Sequence, residues 1–246
     1  MHISIAAETL FHIGPLPVTN SLLVTWITIL IFLAIGILVR LKVKIVPTGL
    51  QNVMELVLEF FYKTVTDVFE SEDKARKYFP LVMTLFLFVL CINWLGLLPG
   101  FGSIGFHRLE QGKEAFIPLL RGASADLNTT LALALISVFM IQVFSIQSLG
   151  WRGFIGRFIK LKNPIMFFVG ILELIAELAK IISFSFRLFG NIFAGEVLLI
   201  VMFSLTYGIA VQPFLFLEIF VGLIQALIFS MLTLFFIKIA VTAEEH

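Results

Sequence analysis

The sequence is poor in charge: 13% of its 246 residues are Asp, Glu, Lys or Arg, whereas 60% are hydrophobic. A soluble domain typically carries about 25% charged residues, so the composition excludes an ordinary soluble protein and predicts a membrane protein. The formal net charge is only +1, which provides no excess of basic residues for binding nucleic acid. We therefore expect the lipid bilayer as a partner, and no nucleic acid.

Cysteine and histidine are also scarce. The single cysteine, Cys91, excludes an intramolecular disulfide. The four histidines fall in predicted tails or loops, and no set of His, Cys and carboxylate residues has the spacing of a metal site. The sequence also lacks a phosphate-binding Gly-rich motif in the right context. We expect no cofactor, no metal and no catalysis by this chain alone.

Long apolar runs dominate instead, and a membrane-spanning helix needs about 20 such residues. The predicted segments are spans at 21–39, 79–98 and 127–149, a long helix at 165–207 and a final long helix at 214–241. Helix 165–207 would measure about 65 Å at 1.5 Å per residue, so it must tilt strongly in the bilayer or break near Gly190 or Gly195. The sequence predicts an all-α integral membrane protein, one domain over 1–246, with about five membrane-crossing helices.

One further helix, predicted at 48–72, is of a different kind. Its apolar residues recur at helical spacing along one face. Another face carries four charged residues spaced four apart, namely Glu55, Glu59, Lys63 and Asp67. An amphipathic helix of this type lies along the membrane surface or against a partner helix rather than crossing the bilayer.

Basic residues predict the orientation, because cytoplasmic loops are enriched in Lys and Arg. Seven lie within 40–77 and four within a turn predicted at 151–162, against three in a loop at 100–125. The first two groups are therefore predicted to be cytoplasmic and the loop external, which places the N-terminus outside. The C-terminus is cytoplasmic if 165–207 crosses once, and external if it crosses twice.

Polar side chains form a stripe along 165–207. Stepping about 100° per residue from Arg187 places five others within a sector about 120° wide: Glu173, Glu177, Lys180, Ser183 and Asn191. Glu196 falls about 180° away from Arg187 by the same arithmetic. An arginine at the centre of a span costs about 2.5–3.5 kcal/mol on insertion scales. Either Arg187 pairs with an acid of its own chain, or it attracts a carboxylate supplied by another protein. The internal candidates are Glu177, Glu196 and Glu218.

The final helix carries a sparser polar face. Glu218, Gly222 and Gln225 stand at i, i+4 and i+7 and so share one side. Asp126 stands where the N-cap of the span 127–149 belongs, so a helix cap is one explanation for it.

The run RLFGNIFAGE, residues 187–196, resembles the signature of subunit a of the F-type ATP synthase. Further segments resemble that family in the same order: PTGLQNVMELVLEFFY, FPLVMTLFLFVLCINWLGLLPG, ADLNTTLALAL and QALIFSMLTLFFI. The resemblance covers nearly the whole chain from about residue 20 onward. It implies a proton-conducting stator subunit, in which two offset half-channels and an arginine barrier couple proton flow to rotation of a ring of c subunits and so to ATP synthesis.

The resemblance also implies partners and a location. The partners are the c-ring subunits, each with a membrane-buried carboxylate, the b subunits of the peripheral stalk and the rest of the complex. The location is the bacterial plasma (inner) membrane, with the N-terminus external and the C-terminus cytoplasmic. A stand-alone secondary transporter or channel, and a purely structural membrane anchor, are the alternatives, and sodium ions are the alternative to protons.

Site roles follow from the resemblance, residue by residue. Arg187 corresponds to the essential arginine, which keeps the ring carboxylate deprotonated and blocks a direct leak. Glu196 corresponds to the acid of the external half-channel, and Asp126 to a polar residue at its entrance. Asn191 corresponds to the asparagine of the signature, and Gln225 to the glutamine of the final helix. Lys180 and Ser183 stand at positions associated with the cytoplasmic half-channel.

Glu218 departs from the family pattern. Some members have a histidine at this position, paired with the acid that corresponds to Glu196. Here both positions are Glu, and two neighbouring carboxylates favour a shared proton because like charges repel.

Overall fold

The computed structural model describes residues 7–42, 44, 46–47, 49–98, 100–101, 104–110, 113–158, 164–206 and 211–242. Within these ranges the chain forms six α-helices and two short β-hairpins. The helices are α1 (Asn20–Lys42), α2 (Leu50–Phe69), α3 (Glu72–Leu95), α4 (Leu127–Phe158), α5 (Pro164–Thr206) and α6 (Val211–Val241). The hairpins are β1 (Thr9–Ile13) with β2 (Leu16–Thr19), and β3 (Gly105–Glu110) with β4 (Lys113–Pro118), both antiparallel.

Four of these helices, α1, α3, α4 and α6, are long and apolar enough to cross a membrane. Together with the long α5 they confirm the predicted all-α membrane fold, and the chain is a multi-pass membrane protein. The amphipathic helix α2 buries Phe61, Val65 and Phe69 and packs beside α3, where the ring centroids of Phe61 and Phe86 lie 4.4 Å apart. Its opposite face leaves Leu56 exposed.

Helix α5 runs without interruption for 43 residues, so the break considered near Gly190 or Gly195 does not occur. The helix starts beside the end of α4, and its later turns reach the segment that precedes α4. Helix α6 then runs back towards the end of the bundle where α5 began. This direction follows from Lys238, in the last turn of α6, which lies over the ring of Phe69 at the end of α2. We call the end of the bundle that carries the two hairpins the hairpin end, and the opposite end, at the bend described next, the bend end.

Two stretches differ from their predicted form. Helix α4 consists of two helical segments joined by a bend at Gly150, whose φ of 72° and ψ of 166° are not helical, and the second segment reaches Phe158. The predicted turn at 151–162 is therefore helical over its described part, and 159–162 lie outside the described residues. The predicted loop at 100–125 contains the second hairpin and a 3₁₀ turn, Ala123–Ala125. The sequences of β3 (GFHRLE) and β4 (KEAFIP) lack a strict alternation of apolar and polar residues, so the pattern did not identify them as strands.

Candidate functional site

Arg187 lies on α5 and has no acidic partner in the described part of the chain. Its Nη2 donates a hydrogen bond of 3.0 Å to Ser183 Oγ, one turn earlier. Among the residues that the structure describes, no carboxylate lies within ion-pair distance of its guanidinium. Around it, α5 exposes Ser183, Phe186, Gly190 and Ala194, and a Cβ built on Gly190 would meet nothing within 4 Å. The charge therefore stands at the edge of an open face with little side-chain bulk.

The charges of α5 nearer the bend end are paired within the chain. Glu173 accepts a hydrogen bond from Arg157 Nε. Glu177 Oε1 accepts from Lys180 Nζ at 2.7 Å and lies 3.6 Å from Arg157 Nη2. The other oxygen of Glu177, Oε2, accepts from Gln142 Nε2 at 2.8 Å. Two cations thus face two carboxylates in a buried or half-buried group.

Two glycines bring Arg157 to this group. The positive φ of Gly150 is a conformation that other residues rarely adopt, and it turns the end of α4 towards α5. Gly170 then allows the close approach, because a Cβ at that position would overlap the backbone carbonyl of Phe158. The helical segment that carries Arg157 is thereby held against the first turns of α5. The sequence identified Arg157 only as part of a basic stretch, since the contact depends on this fold.

The two acids at the hairpin end, Glu196 of α5 and Glu218 of α6, each make a specific contact. Glu196 Oε2 lies 3.8 Å from Arg121 Nε, and the Arg121 side chain is only 8% exposed. Glu218 of α6 is 5% exposed. Its carboxylate lies against the backbone of Gly195, where any Cβ would overlap it. Since Gly195 precedes Glu196 in the chain, Glu218 reaches α5 one residue from the second acid.

The contact between Gly195 and Glu218 supplies a test. We expect Gly195→Ala to displace the Glu218 carboxylate, because the new methyl group occupies its position, while the flexible side chain lets the fold survive. The resemblance to subunit a implies proton conduction, and we expect that activity to slow by roughly fivefold, the effect of about 1 kcal/mol on a barrier. The measurement is proton flux in vesicles that contain equal amounts of the variant. Gly36→Ala on α1, where a Cβ meets nothing within 4 Å, is the matched control, and equal rates for the two variants would contradict the expectation.

Helix α3 fixes the polar face of α6. Asn93 Nδ2 donates to the carbonyl of Gly222 at 3.0 Å, and Trp94 Nε1 donates to the carbonyl of Ile219 at 3.1 Å. Gly222 permits this approach, since a Cβ there would lie 3.3 Å from the Cβ of Asn93. These two bonds hold the helical turn of α6 that directly follows Glu218, one at its start and one at its end.

Asn191 and Gln225, which lie on two different helices, are in contact. Asn191 Nδ2 donates to Gln225 Oε1 at 2.8 Å. Gln225 is 2% exposed, and its Nε2 has no hydrogen-bond partner among the described residues. A cavity of about 280 Å³ adjoins the pair. The pair lies one turn of α5 beyond Arg187, towards the hairpin end.

Asp126 is placed differently from the other predicted site residues. Its Oδ1 accepts the backbone N–H of Asn128 at 3.1 Å, as a helix cap does, and its Oδ2 accepts from Ser21 Oγ at 2.7 Å. Asp126 therefore caps α4 and ties it to the start of α1. This geometry favours the capping role that the sequence left open.

Comparison with known proteins points to one family. The family model described as ATP synthase A chain matches residues 22–238. The chain is 34% identical over 230 residues to ATP synthase subunit a of Moorella thermoacetica, covering 93% of each chain. It is 36% identical over 220 residues to that of Campylobacter concisus, covering 88% of this chain and 87% of the relative. It is 33% identical over 222 residues to that of Geobacter sulfurreducens, covering 89% and 86%. With a match that spans most of its length, and the Arg187 signature inside it, this chain belongs to the ATP synthase A chain family.

Proposed function

We propose that this chain is the stator subunit through which protons cross the membrane sector of an F-type ATP synthase. Protons enter through one half-channel, ride on the carboxylates of a rotating c ring and leave through a second half-channel. Arg187 stands between the two paths as a barrier. The chain supplies the paths, and the catalysis belongs to other subunits of the complex.

The pairing pattern of α5 carries this proposal. Glu173, Glu177 and Glu196 each face a cation of their own chain, whereas Arg187 faces no acid within the described ranges. A charge inside a membrane normally faces a partner or a water-filled cavity. The open face around Arg187 is suited to a carboxylate from a neighbouring subunit, and the small residues there leave room for that subunit to move past.

The two paired clusters mark the proposed half-channels. At 1.5 Å per residue, Glu196 lies about 14 Å along α5 from Arg187 towards the hairpin end, and Glu173 lies about 21 Å towards the bend end. Glu196 with Glu218 forms the inner part of one half-channel, with Asp126 towards its entrance. Lys180 and Ser183, together with Glu173 and Glu177, line the other. Asn191 and Gln225 lie between Arg187 and Glu196, where a ring carboxylate would exchange its proton.

The distribution of basic residues supports an orientation in a bacterial inner membrane. The stretches 40–77 and 151–162 are rich in Lys and Arg, and their described parts belong to the bend end, so this end is cytoplasmic and the hairpin end external. Helix α6 ends at the bend end, which makes the C-terminus cytoplasmic. The peripheral-stalk b subunits dock on the same subunit, and protons rather than sodium ions are the transported species.

Cross-linking tests the proposed ring contact. Ala194 is exposed and lies about 20° from Arg187 around the helix. In a background in which Cys91 is replaced by Ser, we expect Ala194→Cys to form a disulfide with a cysteine placed beside the carboxylate of the c subunit. The measurement is the oxidised a–c product on a gel of membranes that contain the whole complex.

Ile182 supplies the matched control, because its side chain is 58% exposed but points about 140° away from Arg187. Ile182→Cys should give no such product. Equal products from both positions, or none from Ala194→Cys, would show that the Arg187 face does not meet a ring, and would favour a stand-alone transporter or a structural anchor.

A further inference from the structure

A buried segment before α4 connects four helices at the hairpin end. We call Arg121–Asp126, with the sequence RGASAD, the buried linker. Ser124 Oγ donates to Asn93 Oδ1 of α3 at 2.6 Å. Asp126 accepts from Ser21 of α1 and caps α4, and Arg121 reaches Glu196 of α5. Ala123, Ser124 and Ala125 are essentially inaccessible to solvent, so the linker belongs to the core rather than to a surface loop.

Close backbone packing fixes the start of this linker. A Cβ built on Gly96, just after α3, would lie 3.0 Å from the Cα of Gly122. Two glycines therefore allow two backbones to touch directly beside Arg121. Because Asn93 both binds this linker and donates to Gly222 of α6, one framework sets the positions of Arg121 and of the helix that carries Glu218.

The charges in this framework do not balance. Arg121 contributes one positive charge, whereas Glu196 and Glu218 contribute two negative charges when both are ionised. Asp126, at the head of α4, already accepts three hydrogen bonds elsewhere. Glu196 Oε2, although buried, accepts no hydrogen bond from the described residues and has the Arg121 Nε at 3.8 Å. Arg121, Glu196 and Glu218 can therefore bind one proton, and Glu196 Oε2 is free of hydrogen-bond donors among the described residues.

We propose that Arg121 is a positioning residue of the external half-channel, which holds the Glu196 carboxylate beside Glu218 so that the two acids carry one exchangeable proton between them. The inference rests on the proposed function. A fixed cation on one side cancels one of the two negative charges and makes the site suited to a single proton. Without it, two uncompensated carboxylates would retain protons or attract other cations.

The test compares four variants in the assembled complex: Arg121→Gln, Arg121→Lys, Glu196→Gln and the double variant Arg121→Gln/Glu196→Gln. ATP-driven proton pumping is measured in membrane vesicles and divided by the amount of assembled complex. We expect Arg121→Gln to lower pumping by about tenfold, within the range found for coupled neighbours, and Arg121→Lys to restore most of it. The double variant should pump no less than the slower single variant, because the two residues act through each other.

Arg76→Gln is the matched control, since Arg76 also lies 3.8 Å from a glutamate, but both side chains are more than 70% exposed. Multiplicative losses in the double variant, or a loss in Arg121→Lys equal to that in Arg121→Gln, would overturn the proposal. If Arg121→Gln does not assemble, the double variant decides: it should assemble, because it removes both members of the buried ion pair together, and its failure would reject the pairing. Normal pumping by Arg121→Gln, in a complex that Arg187→Ala inactivates, would reject this inference alone.

Discussion

Replacing Arg187 with alanine should abolish coupled proton transport while the subunit still assembles. The guanidinium makes a single described hydrogen bond, to Ser183, and no described ion pair, so its loss leaves no acid of this chain unpaired. Its proposed partner is outside the chain, where unit charges 4 Å apart attract by about 4 kcal/mol at an effective dielectric constant of 20. We expect ATP-driven pumping to fall by roughly a hundredfold or more. The measurement is acidification of inverted vesicles, with subunit content determined in the same membranes.

Two further variants make this result specific. Arg76→Ala, at an exposed ion pair, removes the same side chain and should leave pumping unchanged. Leu188→Ala, next to Arg187 but fully buried, creates a cavity in the core and should lower the amount of assembled subunit. Arg187→Ala should show the reverse pattern, with assembly kept and transport lost. Loss of assembly alone would favour a structural anchor, and retained pumping would reject the barrier.

The general fold could be predicted from the sequence because long apolar runs leave few alternatives in a bilayer. The sequence also showed that α2 is amphipathic, and the structure buries its apolar face in Phe61 and Val65. The end of α4 was less accessible to prediction. The backbone at Gly150 is not helical, but a second helical segment follows directly and reaches Phe158, and a glycine after an apolar run gives the same sequence signal whether a helix or a turn follows it.

Part of the candidate site could also be predicted from the sequence. Helical geometry relates residues on one helix, so the separation of Arg187 from Glu196 around α5 could be calculated, and the resemblance singled out Asn191 and Gln225 without predicting their contact. Arg121 and Arg157 carried no such signal. Each lies on another segment from the acid that it meets, and Arg121 is 75 positions from Glu196 in the printed sequence. Only the buried linker and the bend at Gly150 bring these cations to α5.

The remaining large effect concerns the two acids at the hairpin end. We expect Glu196→Gln to slow proton passage by about tenfold, because Glu218 beside Gly195 can still accept a proton. In the double variant Glu196→Gln/Glu218→Gln, neither side chain can do so, and a proton-transfer group contributes roughly a hundredfold or more. Passive proton flux through vesicles should then fall to background, with the subunit still present. Glu72→Gln, at an exposed acid, is the control. Normal flux in the double variant would mean that protons reach the ring by a path that contains neither acid, and would remove both from the proposed half-channel.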